Sequence, residues 1–164
     1  MKHFNPGWFL AFFSLLSLFP SITCAQNTTQ VKDIKTGSLS SLPTYLTGVG
    51  SLIFFAAEDT TTNGTELWKS DGTTDGTVMV KNINSADSSS SYPQYLTDVN
   101  GTLFFSADDG GGSELWQSDG TEANTAMVKN INPSGPSNPN NFAAVGTDLF
   151  FAATGISGGV FLPG

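Results

Sequence analysis

Three carboxylates crowd one glycine-rich stretch, where Asp108, Asp109 and Glu114 stand in "DDGGGSE". Oxygen donors on a Gly-rich loop suit a hard cation such as calcium, although the spacing lacks the alternating ligands and closing Glu of an EF-hand loop. A solvated turn explains the same residues. Calcium is therefore the single candidate metal, and no catalytic or cofactor-binding residue is assigned. Asp71-Gly72 and Asp119-Gly120 suit the backbone angles of tight reversals. Trp68 and Trp116 could stack on sugar rings, but a tryptophan recurring at one place in a repeat is expected to fill the space between units.

Other chemistry is excluded by what the chain lacks. His3 and Cys24 are the only histidine and cysteine, and all six basic residues are lysines. A Ser-His-acid triad, a Cys-His pair and His-ligated zinc cannot be assembled downstream of residue 25. Glycosidase chemistry needs two carboxyl groups about 5 to 9.5 Å apart, and Asp and Glu are present, but they recur with the repeat instead of marking one pair. A formal net charge of −8 with no arginine argues against nucleic acid and against anionic membrane surfaces.

The elements that must position these residues repeat. "ELWKSDGTTDGTVMVKNI" at 66–83 returns as "ELWQSDGTEANTAMVKNI" at 114–131, and "YLTGVGSLIFFAA" at 45–57 returns at 95–107 and, more loosely, at 142–153. Trp116 follows Trp68 by 48 positions and Phe105 follows Phe55 by 50, the difference falling in one loop. A period near 50 whose length changes sit in loops marks a repeat array. Each unit predicts four short strands: a hairpin turning at Asn100-Gly101 in the second unit, then "ELWQS", the turn "DGTEANT", and "AMVKNI". Paired Phe54-Phe55, Phe104-Phe105 and Phe150-Phe151 address both faces of one strand, as a sheet covered on both sides requires. The Pro-, Ser- and Asn-rich stretches between units read as linkers.

The expected fold is all-β, a partial β-propeller-like array of four-stranded antiparallel meanders, about two and a half blades, behind an N-terminal signal-peptide helix. The repeats run over residues 45–83, 95–131 and 142–164. Residues 31–34, "VKDI", match "VKNI" at 80–83 and 128–131, and so predict an isolated strand of the fourth type. The third unit loses its motif, with "VFLPG" where "ELWQS" is due, so residues 26–164 read as an incomplete array whose open faces favour self-association.

The tandem motif, Glu66, Leu67, Trp68, Asp71, Gly72 and Thr73 with Glu114, Leu115, Trp116, Asp119, Gly120 and Thr121, resembles the bacterial ELWxxDGT repeat family. The resemblance spans most of residues 31–153 and implies secreted or surface-exposed proteins with propeller-like repeats. It implies no biochemical activity.

The first 25 residues join a basic start at Lys2, a twelve-residue apolar run from Trp8 to Phe19 and small residues ending at Ala25. That is the layout of a cleaved secretory signal, and the run is short of the roughly 20 residues a spanning helix needs. Thr23 and Ser21 fit poorly to a lipoprotein signal modified at Cys24. Asn27, Asn63 and Asn100 are glycosylation sequons only for a eukaryotic secretory chain. The expected function is a secreted or cell-surface, non-enzymatic binding, scaffolding or adhesion module with a protein or glycan partner, read as a fragment of a longer propeller. The alternatives are a carbohydrate-active propeller fragment using carboxylates, and a non-functional remnant.

Overall fold

The computed structural model describes residues 29–59, 64–86 and 89–155. The expected signal segment at 1–25, the sequons at Asn27 and Asn63, and the "VFLPG" stretch of the third unit lie outside the described residues. Within them the chain is all-β, with no helix, and none is therefore long and apolar enough to cross a membrane. The first sheet holds β1 (Thr44–Val49), β2 (Leu52–Glu58), β3 (Thr65–Ser70) and β4 (Val78–Lys81) in chain order. The second holds β5 (Gln94–Val99), β6 (Thr102–Asp108), β7 (Ser113–Ser118) and β8 (Ala126–Lys129), and the third β9 (Asn140–Val145) and β10 (Asp148–Ala152). All neighbours are antiparallel and no sheet closes on itself.

Each unit begins with a two-residue hairpin, pairing Val49 with Leu52, Val99 with Thr102 and Val145 with Asp148. Asn100 and Gly101 take φ of 51° and 86°, the two positive angles that a type I′ turn demands. A second local feature has no counterpart in the expected pattern. Tyr45, Tyr95 and Asn141 all have φ near 56°, at 57°, 56° and 56°, beside a shift of register on β1, β5 and β9. A β-bulge with a left-handed residue turns the entering strand at the same point of every unit.

Alternation along each strand divides its apolar residues between two faces. Val49, Phe54, Leu67 and Val80 leave sheet 1 on its trailing face and pack with Leu96, Leu103, Phe105 and Trp116 on the leading face of sheet 2. Val99, Phe104 and Leu115 repeat the arrangement against Leu149 and Phe151 of sheet 3. The sheets therefore stack face to face in chain order. Fully burying side chains of this size contributes about 1.5–3 kcal/mol each, so the seams, more than the strands themselves, stabilise the fold.

The segment at 31–34 joins no sheet, yet it makes the contacts of the equivalent segment one unit later. Lys32 Nζ donates to Thr77 O at 2.7 Å, as Lys81 Nζ donates to Thr125 O at 2.8 Å. Ile34 packs on Phe55, Ala57 and Trp68, as Ile83 packs in the cluster of Phe105, Ala107 and Trp116. Ile83 and Ile131 themselves lie beyond the ends of β4 and β8. The tail of each fourth strand has left its own sheet to lie on the next one.

Candidate functional site

The repeated "ELW" places three consecutive residues on alternate faces. Leu67 enters the seam with sheet 2, and Trp68 lies on the opposite, leading face with Phe55, Ala57 and Ile34. Glu66 is fully buried, and its carboxylate takes three donors from the chain that leaves the sheet: Ile83 N at 2.9 Å, Ser91 N at 3.0 Å and Ser91 Oγ at 2.6 Å. Glu114 repeats this with Ile131 N at 3.3 Å, Ser137 N at 3.0 Å and the Ser137 hydroxyl. The linker serine then passes the connection on, since Ser91 O accepts Asp108 N at 2.9 Å and Ser137 O accepts Thr154 N at 2.7 Å. Ser41 O does the same for Glu58 N at 2.9 Å. Burial pushes the Glu66 carboxyl above its ordinary value, and the bonds from Ser91 and Ile83 offset only part of that.

Trp116 is enclosed between sheets 1 and 2, Trp68 is buried beneath Ile34 on the first sheet, and neither indole N–H makes a hydrogen bond within the chain. Both rings are buried, leaving no open face for a sugar. The Asp-Gly pairs form the expected turns. Asp71 Oδ1 accepts Thr73 N at 2.9 Å and Thr73 Oγ1 at 2.7 Å, and Asp119 Oδ1 accepts Thr121 N at 2.8 Å and Thr121 Oγ1 at 2.7 Å. Gly72 and Gly120 hold φ of 89° and 90°, which is why glycine follows each aspartate. The threonine bonds hold both carboxyl groups below the ordinary aspartate value. Asn124 replaces Gly76 in the second unit and donates to Asp119 Oδ2 at 2.6 Å.

The three calcium candidates do not converge. Asp108 Oδ1 accepts Gly110 N at 2.7 Å and Gly112 N at 2.9 Å, and Asp109 Oδ1 accepts Gly111 N at 3.1 Å, so both shape the loop. Glu114 is turned inward to Ser137 and Ile131. Among the described residues no group of three His, Cys, Asp or Glu side chains is placed to hold a metal ion.

A cavity of about 340 Å³ opens where the linkers enter sheets 2 and 3. Tyr92, Gln94, Tyr95, Asn138, Asn140 and Asp108 are among the residues around it. Ser106 and Ser113, 2.6 Å apart at their hydroxyls, also line it. Tyr92 and Tyr95 are exposed. Beside the cavity runs an aromatic row, with centroid separations of 6.5 Å for Tyr45–Tyr95, 5.8 Å for Tyr95–Phe142 and 5.5 Å for Phe142–Phe151. No family model, curated protein or solved structure matches the chain. The sequence hint to this site was the recurrence of Tyr45 and Tyr95 in the "YLT" segment, whereas Tyr92 and Asn138 sit in stretches that read only as linkers. Aromatic faces beside amides, hydroxyls and one carboxylate can hold a polar ring by stacking and hydrogen bonding.

Proposed function

We propose that this chain is a secreted or cell-surface, non-enzymatic binding module whose sheets are arranged as propeller-type blades, of the kind that the ELWxxDGT resemblance implies, and that it binds a saccharide at the cavity between Tyr92 and Asn140. The observation that carries this reading is the division of polar groups. The carboxylates of the repeat motif, Glu66, Glu114, Asp71 and Asp119, are all engaged in holding linkers and turns, while Tyr92, Tyr95, Gln94 and Asn140 surround an open cavity. Asp108 is the one carboxylate among the described residues around it, and glycoside hydrolysis ordinarily uses a pair. The propeller reading is supported by the face-to-face order of the sheets and by the contact of β1 with β5 and of β5 with β9, which brings the first strand of each unit together. The extracytoplasmic reading is supported by the signal-like layout of residues 1–25.

The test is a glycan array followed by titration calorimetry on the best ligand, with a parallel hydrolysis assay. Tyr95→Ala should weaken binding at least tenfold, because stacking and the shape of the cavity both depend on the ring. Retained affinity in Tyr95→Ala and in Tyr92→Ala, or turnover abolished by Asp108→Asn, would overturn the reading.

A further inference from the structure

The same residues recur on the leading face of the sheets, but in the first sheet only Phe55, Ala57 and Trp68 are buried, beneath Ile34, and the rest of the face is open. Leu96 is 8% exposed and its equivalent Leu46 is 65% exposed; Leu103 is 0% and Ile53 is 47%. Glycine reports the same contrast. A methyl group added at Gly120 would lie 3.1 Å from the Phe54 ring of the preceding sheet, whereas one added at Gly72 would meet nothing within 4 Å. Along this face runs an apolar groove of about 320 Å³ bordered by Ile34, Leu46, Ile53, Phe55 and Gly72. At the other end of the stack, Val145 is 62% exposed, while Val49, its equivalent on a covered trailing face, is 7% exposed. Phe150, the equivalent of the fully buried Phe54, is likewise only partly covered.

We infer that the leading face of sheet 1 is a docking surface for the trailing face of sheet 3 in a second copy of this chain. The occupant follows from the seams already formed within the molecule. Twice, what covers a leading face is a trailing face carrying valine at the end of the first strand and phenylalanine at the third position of the second, Val49 with Phe54 and then Val99 with Phe104. Sheet 3 carries the third such pair at the opposite end from the groove, with Val145 exposed, Phe150 partly covered and, among the described residues, no further sheet stacked on it. Because the donor and acceptor surfaces differ, the contact is heterologous, so copies join head to tail and either close into a ring or extend.

Sedimentation of the full-length protein over a hundredfold concentration range tests this. Wild type should associate, while Leu46→Glu and Val145→Glu, both at exposed positions, should each remain monomeric. Mixing the two variants should restore one seam and give a 1:1 dimer that grows no further, since each contributes the face the other has lost. Near-ultraviolet circular dichroism identifies a variant that fails to fold, and Ile53→Lys or Ala143→Glu then replaces it. A wild-type monomer throughout the range, association of either variant alone, or a mixture that stays monomeric would each overturn the assignment.

Discussion

Glu66 accepts both the main-chain N–H and the hydroxyl of Ser91, a residue 25 positions further along the chain. This pins the linker to the sheet it has just left, and Ser91 O then bonds the first residue of the Asp108-Asp109 loop in the next unit. Replacing Glu66 by Ala strands the Ile83 N–H in the interior, leaves Ser91 N only its 3.1 Å bond to Thr65 O, and opens a cavity. The expected loss is about 3 kcal/mol, read as a fall in the urea midpoint. Glu114→Ala should behave similarly at Ser137 and Ile131.

Stability should pass through a maximum on the acid side of neutrality. The Glu66 carboxyl is raised from 4.5, so its contribution is full below the unfolded value and is lost as pH rises through the higher folded value. Asp71 and Asp119 are lowered from 3.8, so theirs is present above that value and is lost as pH falls through the depressed ones. Melting temperatures should therefore rise as pH falls through the raised Glu66 value towards 4.5 and fall again below 3.8 as Asp71 and Asp119 take up protons. Glu66→Gln removes the titrating group and should flatten the first slope while keeping the second. An unchanged slope in that variant would sink the assignment.

Gly76→Ala should destabilise the first unit by about 1–2 kcal/mol, since the new methyl would overlap the Asp71 carboxylate and push it off Thr73. The strain here comes from the neighbour, as Gly76 is not among the positive-φ glycines. Asn124→Gly in the second unit should cost less, about 1 kcal/mol, because it removes one hydrogen bond to Asp119. Equilibrium unfolding of the two variants gives the comparison.

Leu103→Ala should cost about 2–5 kcal/mol, as the side chain is fully buried in the seam between sheets 1 and 2. Ile53→Ala, at the same place one unit earlier, should cost under about 1 kcal/mol in the monomer. The difference between two chemically similar truncations measures what a covering sheet contributes. Equal losses would mean that the seam does not form as described.

Much of this architecture was legible where the relevant chemistry is local. The Asn100-Gly101 turn, the split of Phe54 from Phe55 and the Asp-Gly-Thr reversals depend on residues within a few positions of each other. The role of Glu66 was not legible, because its partners lie in a linker whose serines look like solvated connectors until the carboxylate is seen beneath them. The left-handed Tyr45 and Tyr95 were equally hidden, since nothing about tyrosine favours φ above zero and the bulge is fixed by the packing around it. Residues 31–34 match a strand motif and make its side-chain contacts without its ladder. What recurs there is the lysine bond and the isoleucine contact.

The bond from Lys32 to Thr77 spans 45 residues, and that from Lys81 to Thr125 spans 44. Because among the described residues these handovers run to the next unit, each joint is written within two adjacent repeats. A single recombination event that adds or deletes one repeat would then carry a complete joint with it and leave the others intact. Growth by copying needs no compensating change elsewhere in the gene, and assembly of the chain can begin at any joint and spread to its neighbours.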